Sequence, residues 1–190
     1  MVKAYLVLLA LLGVERLVEL AISRRNAAAA VARGAIEVGQ RHFQVMKVLH
    51  TAFLIGCAVE VVVLRRPFIP ALGVPMLGLV VLAQALRYWA VVTLGRRWNV
   101  RVLVVPGYHA IVSGPYRYLR HPNYLAVIVE GFAVPLVHTA WVTALAFTVA
   151  DAALLWVRIR CEERALTAHG DYARRFRDHR RLIPGRRVVV

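Results

Sequence analysis

The sequence predicts an all-α integral membrane protein with five transmembrane helices, the last two a helical hairpin, and a small cytoplasmic cap. Three observations lead there. The 190 residues are 60% hydrophobic yet carry a formal charge of +15, at a mean hydropathy of +0.61. The apolar residues gather in runs long enough to cross a bilayer, which takes about 20. The arginines fall between those runs, as in a membrane protein with basic cytoplasmic loops. A pI of 11.3 would also suit a nucleic-acid partner, but the charge is not collected on one polar face. Cys57 and Cys161 form no CxxC or other metal spacing, which argues against a disulfide framework or a metal site.

The elements follow in order. Residues 3–22 form the first span; without a charged n-region or a cleavage signal, this stretch reads as a retained helix. The AAAA run at 27–30 extends a helix rather than marking a linker. Residues 44–64 and 70–94 are the second and third spans. Residues 123–157 are too long for one crossing, and His138, just after Pro135, is the expected break, giving helices 123–137 and 139–157. The chain is thus one membrane domain, residues 1–94 holding three helices and 95–190 holding the cap and hairpin. Arg24, Arg25, Arg33, Arg41 and Lys47 lie in the loop after the first helix. Arg96, Arg97, Arg101, Arg117 and Arg120 lie before the fourth, and the tail from Arg158 is also basic. The opposite side has Lys3, Arg65 and Arg66. The asymmetry predicts an outside N-terminus, with both inner loops and the tail on the cytoplasmic side of the inner membrane. Glu15, Arg16 and Glu19 near the inner end of the first helix are either functional or snorkelling. Arg87, Glu130 and Asp151 are expected to pair between helices. Glu60 and Asn99 have no evident role.

Two stretches carry chemistry. The first is SGPYRYLRHPNY, residues 113–124. Gly114–Pro115 reads as a turn. Pro122 suits the first helical position and pushes His121 out of helical geometry. The free N–H groups and positive dipole end of that helix then lie beside Arg120 and His121, where an anion or carboxylate is favoured. The same composition also suits an interfacial belt of aromatics and arginines. The second stretch is WVRIRCEERALTAHGDYARRF, residues 156–176, with Arg158 and Glu162 on one helix face. The hairpin returns this helix end to the start of the fourth helix and is expected to bring Glu162 close to His121. A bland reading is a solvated helix end with one ion pair.

GPYRYLRHPNY, followed after the hairpin by EERAL, HGDYARRF and a late Ile183–Pro184, resembles the isoprenylcysteine carboxyl methyltransferase family of membrane methyltransferases over roughly residues 95–185. The resemblance implies S-adenosylmethionine held in the cytoplasmic cap without a Rossmann domain, and a lipophilic substrate admitted sideways from the bilayer lipids. Carried over by motif, the cofactor residues are Tyr108, His109, Ala110, Ile111, Gly114, Tyr116, His121, Pro122, Asn123, Tyr124 and Glu162. Arg158 falls at a substrate-contacting arginine, and Arg120 is the second candidate for that catalytic task. Where related eukaryotic enzymes have a longer acidic run, this chain has Arg160–Cys161. The string ER..EL..S.RN from Glu15, continuing to ARGAIEVGQRH, looks like a bacterial branch that O-methylates long-chain alkylpyrones or alkylresorcinols.

Methyl transfer from a sulfonium needs positioning more than covalent help, and an arginine favours an ionised acceptor oxygen. The expected reaction is O-methylation of a lipophilic hydroxyl. Carboxyl methylation of isoprenylcysteine and N-methylation of a phospholipid are the enzymatic alternatives, and a membrane scaffold or transporter is the non-enzymatic one. A transporter would hold its polar groups near the midplane, whereas these cluster at one face.

Overall fold

A computed structural model describes residues 1–183; Pro184, the late proline of the motif, lies outside them. Five long helices dominate: α1 (Val2–Val31), α2 (Gln40–Val63), α3 (Pro70–Leu94), α4 (Pro122–Leu136) and α5 (Trp141–His169). A single-turn helix, α6 (Tyr172–Arg175), follows, and two short strands, β1 (Ile36–Val38) and β2 (Val102–Val104), pair antiparallel. That ribbon is an addition to the expected helices, since three residues per strand leave no readable alternation.

Three helices, α2, α3 and α5, are long and apolar enough to cross a membrane. α1 is long enough, but Glu15, Arg16 and Glu19 interrupt its apolar stretch. α4 has 15 residues, about 22 Å of helix against a core of about 30 Å. α1 and α5, at 30 and 29 residues, each reach about 45 Å and so overrun an apolar core by several turns. Ala27–Ala30 lie inside α1, as expected.

The break between α4 and α5 falls at residues 137–140, beside Pro135. Thr139 takes a positive φ of 54°, and its hydroxyl donates to the Pro67 carbonyl at 2.7 Å. Glu60 finds its role here. Its carboxylate accepts from the Val142 and Thr143 backbone N–H groups at 3.1 and 2.7 Å, and from Arg66 Nε at 2.9 Å. A side chain of α2 therefore caps the otherwise unpaired N–H groups of α5. Around that end, Tyr5, Phe53, Cys57, Val134 and Phe147 form the main apolar core. Gly131 lets α4 and α5 approach closely, because a Cβ there would sit 2.7 Å from the Phe147 ring.

At the other end, the overrun of α1 is docked onto the segment after α3. Ser23 Oγ donates to Asn99 Oδ1 at 2.7 Å, Asn99 Nδ2 donates to the Ser23 carbonyl at 3.0 Å, and Asn26 Nδ2 donates to the Trp98 carbonyl at 2.8 Å. Glu37 of β1 holds Arg101 through a paired carboxylate–guanidinium contact. These bonds fix residues 95–104 across the mouth of the helix bundle.

Candidate functional site

Pro122 opens α4 as its first helical residue, and His121 before it lies outside helical geometry at φ −131° and ψ 65°. The backbone N–H groups of Arg120 and His121 pair with the carbonyls of Arg180 and Arg181 at 2.9 and 3.0 Å. The tail thus closes over the start of α4. His121 is buried, and its Nε2 lies 3.1 Å from Glu163 Oε1, while Arg181 clamps the same carboxylate at 2.6 and 3.0 Å.

This sharpens one expectation. The glutamate bonded to His121 is Glu163, while Glu162 shares the cavity wall with His121. Neighbours on a helix point about 100° apart, so one glutamate grips the tail and the other faces away from it. Glu162 accepts a 2.5 Å hydrogen bond from the Tyr124 hydroxyl. That hydroxyl in turn accepts from Arg158 Nε at 2.9 Å. Arg158 and Glu162 do share a face, joined through tyrosine rather than directly. Arg158 Nη2 donates to the Val100 carbonyl. Its Nη1 is shielded from solvent and has no hydrogen-bond partner among the described residues, an arrangement that costs free energy until an acceptor meets it. Arg120 is more committed, donating from Nε to the His179 carbonyl at 2.8 Å.

These groups line a cavity of about 650 Å³. Tyr108, His109, Ala110, Ile111, Tyr116, Arg120, His121, Asn123, Tyr124, Arg158 and Glu162 are all in its wall. Gly114 and Pro122 are not among its wall residues. Gly114, at φ +55°, packs against Thr93, where any side chain would collide, and Pro122 is fully buried. Leu17 and Leu20 of α1 and Met46, Leu54 and Ile55 of α2 add aliphatic surface to the wall, interleaved with Arg16, Glu19, Lys47, His50 and Thr51 of the same helices.

Asp171 was not singled out in the sequence, although it lies in the quoted HGDYARRF. It accepts from the Ala110 N–H at 2.8 Å and from Arg175 Nε at 2.6 Å, and lies 2.9 Å from His109 Nδ1. These contacts, the Ala110 N–H first and Arg175 next, hold its carboxyl well below the usual carboxylate range. The clamp therefore contributes fully above about pH 4, the ordinary carboxylate value, and is lost as pH falls further through the folded-state value. Asp171→Asn should release residues 108–111, and their amide hydrogen exchange at neutral pH should quicken by roughly tenfold. Unchanged exchange would remove Asp171 from that role.

The charge cluster of the helices reaches the cavity, since Arg16, Glu19 and Arg87 are in its wall. Arg87 of α3 meets Glu130 of α4 at 2.5 Å and donates to Asn123 Oδ1 at 3.4 Å. It also lies 3.7 Å from Glu19, which pairs with Arg16 at 2.8 Å. Gln84 donates to Glu15 at 2.6 Å. The expected Arg87–Glu130 pair is thus present, whereas Asp151 is buried apart from it, with no partner for Oδ1 among the described residues.

The isoprenylcysteine carboxyl methyltransferase (ICMT) family model matches residues 76–168, from within α3 to the end of α5. The uncharacterized protein YpbQ of Bacillus subtilis is 39% identical over 160 residues, covering 84% of this chain and 94% of that protein. An uncharacterized protein of Haemophilus influenzae is 30% identical over 155 residues, covering 80% and 88%. Both likenesses are too long to be confined to residues 95–190, so they take in helices from the N-terminal half as well.

Proposed function

The chain belongs to the isoprenylcysteine carboxyl methyltransferase family of membrane methyltransferases, and from that premise we propose that it transfers a methyl group from S-adenosylmethionine to an oxygen of a lipophilic substrate. The acceptor we favour is the hydroxyl of a long-chain alkylpyrone or alkylresorcinol. The observation that carries this reading is a cavity whose wall holds both aliphatic side chains and a guanidinium nitrogen, Arg158 Nη1, that has no hydrogen-bond partner among the described residues. An amphiphile and a polar cofactor fit such a shape, and its volume lies in the range of about 300–1,000 Å³ usual for ligand pockets.

The residues present suit the cofactor. Glu162 offers a carboxylate to ribose or amino groups, and Tyr108, Tyr116 and Tyr124 offer aromatic faces to adenine or a cation. Bound S-adenosylmethionine would supply an electrophilic methyl group on a sulfonium. The chain's part is placement. Asp171 sets the 108–111 loop, Glu163 and His121 close the tail over the start of α4, and Arg158 orients an acceptor oxygen.

Carboxyl methylation of a prenylated cysteine is the second reading, favoured by the family's name and by the arginines of the cavity. Purified full-length protein with labelled S-adenosylmethionine should methylate pentadecylresorcinol to a base-stable ether. A base-labile ester formed from S-farnesyl cysteine, with no ether, would decide for the alternative. Glu162→Ala should weaken S-adenosylhomocysteine binding at least about tenfold, roughly 1.4 kcal/mol, by calorimetric titration. An unchanged affinity would take Glu162 out of the cofactor site.

We further propose five crossings of the inner membrane with the N-terminus outside and the cavity mouth cytoplasmic, supported by the positions of the arginines. In a cysteine-free background, single cysteines at the exposed Ala32 and Asp178 should resist labelling from outside intact cells. Labelling of either would refute this orientation.

A further inference from the structure

His50, on the cavity wall but outside every motif considered above, carries information in its hydrogen bonding. Its Nδ1 lies 2.9 Å from the Met46 backbone carbonyl. A carbonyl can only accept, so Nδ1 must hold the proton. The ring is then the neutral tautomer whose Nε2 is a bare acceptor. No hydrogen-bond partner for Nε2 occurs among the described residues, and it is not among the nitrogens sealed from solvent.

The place of His50 on α2 matters as much. Lys47, His50 and Leu54 line the cavity, at spacings of three and four that share one helix face. Along that face the order is ammonium, imidazole, hydrocarbon, the order in which an amphiphile's head and chain would lie. The bland account, a core histidine satisfied by its own helix and packed edge-on against Phe147 at 5.3 Å between ring centroids, explains Nδ1 but gives Nε2 no hydrogen-bond partner.

We propose that His50 Nε2 is the general base that takes the proton of a neutral hydroxyl acceptor. The proposal rests on the O-methyltransferase reading. In the step, the acceptor O–H bond breaks and its proton passes to Nε2 while the oxygen bonds to the methyl carbon. The carbon–sulfur bond breaks with its electron pair left on sulfur, so the sulfonium becomes a neutral thioether. The imidazolium then returns its proton to water. Positioned bases of this kind contribute about 10²–10⁴-fold. A carboxylate acceptor, already ionised, would gain nothing from it.

The test compares two acceptors on the full-length protein in lipid nanodiscs: pentadecylresorcinol and a ring-chlorinated analogue largely ionised at the assay pH. His50→Phe keeps the ring and removes both nitrogens. Its kcat on pentadecylresorcinol should fall about 100-fold and its kcat on the ionised analogue less than about threefold, with affinities for S-adenosylhomocysteine and for each acceptor within about threefold of wild type. His50→Ala, which opens space, should regain turnover with added imidazole. Equal losses on the two acceptors, or no rescue by imidazole, would make His50 a packing residue and overturn the proposal. Wild-type protein that binds S-adenosylhomocysteine but methylates neither phenol would overturn it too. Absence of S-adenosylhomocysteine binding would instead sink the methyltransferase reading itself.

Discussion

Arg158→Ala is expected to bind S-adenosylhomocysteine about as well as the wild type while methyl transfer falls by roughly two orders of magnitude or more. The expectation follows from how the guanidinium is divided. Nε is held by the Tyr124 hydroxyl and Nη2 by the Val100 carbonyl, so the group is fixed on two edges. Nη1 has no partner among the described residues. A fixed donor with one unspent N–H is what an acceptor oxygen needs, since it orients the oxygen and favours its ionised form. Glu162 keeps its own bond to Tyr124, so the cofactor side should survive the loss. Arg158→Lys preserves charge but cannot hold two anchors and present a third N–H, and it should lose most of the same activity. Arg120 is the weaker candidate, because its Nε is occupied by the tail and its Nη1 lies 3.6 Å from Glu163. Retained turnover in Arg158→Ala, or loss of cofactor binding in a folded protein, would show that its role is different.

How much of this was legible beforehand depends on the range of the interactions concerned. The helices could be read from apolar runs, and their limits from Pro70, Pro122 and Pro135, because those signals are local. The gathering of the 113–124 stretch and Glu162 could be read because a hairpin must return to the side where it began, whereas residues 108–111 were implied only by the family resemblance. The choice between Glu162 and Glu163 could not, since it turns on one 100° step of a helix whose rotation is set by packing. Glu60, Asn99 and Ser23 gave no signal for the same reason. Their partners, Thr143 for Glu60 and Ser23 for Asn99, are 83 and 76 residues away in sequence. Asp171 looked like one more charge in a basic tail until its bond to the Ala110 N–H placed it.

Replacing Arg87 should have the largest effect on stability. The side chain is buried, at 4% exposure, and meets Glu130 through two nitrogens at 2.5 and 3.2 Å, with Glu19 at 3.7 Å. Three carboxylates, those of Glu15, Glu19 and Glu130, share this cluster with two guanidiniums, those of Arg16 and Arg87. The cluster is therefore already one positive charge short, and Arg87→Met would leave it two short. Breaking a buried pair by removing one partner costs about 3–5 kcal/mol, a large part of the roughly 5–15 kcal/mol that holds a typical protein folded. The variant should accumulate poorly and melt well below wild type in detergent. Removing the second charge as well should reverse much of this. Arg87→Met with Glu130→Gln replaces the pair by neutral groups and should be more stable than Arg87→Met alone. Activity should not return in step with stability, because Arg87 also donates to Asn123 at 3.4 Å and so orients a side chain of the cavity wall. A double variant no more stable than the single one would show that Arg87 stabilises the bundle by packing its stem, and that the charges are balanced elsewhere.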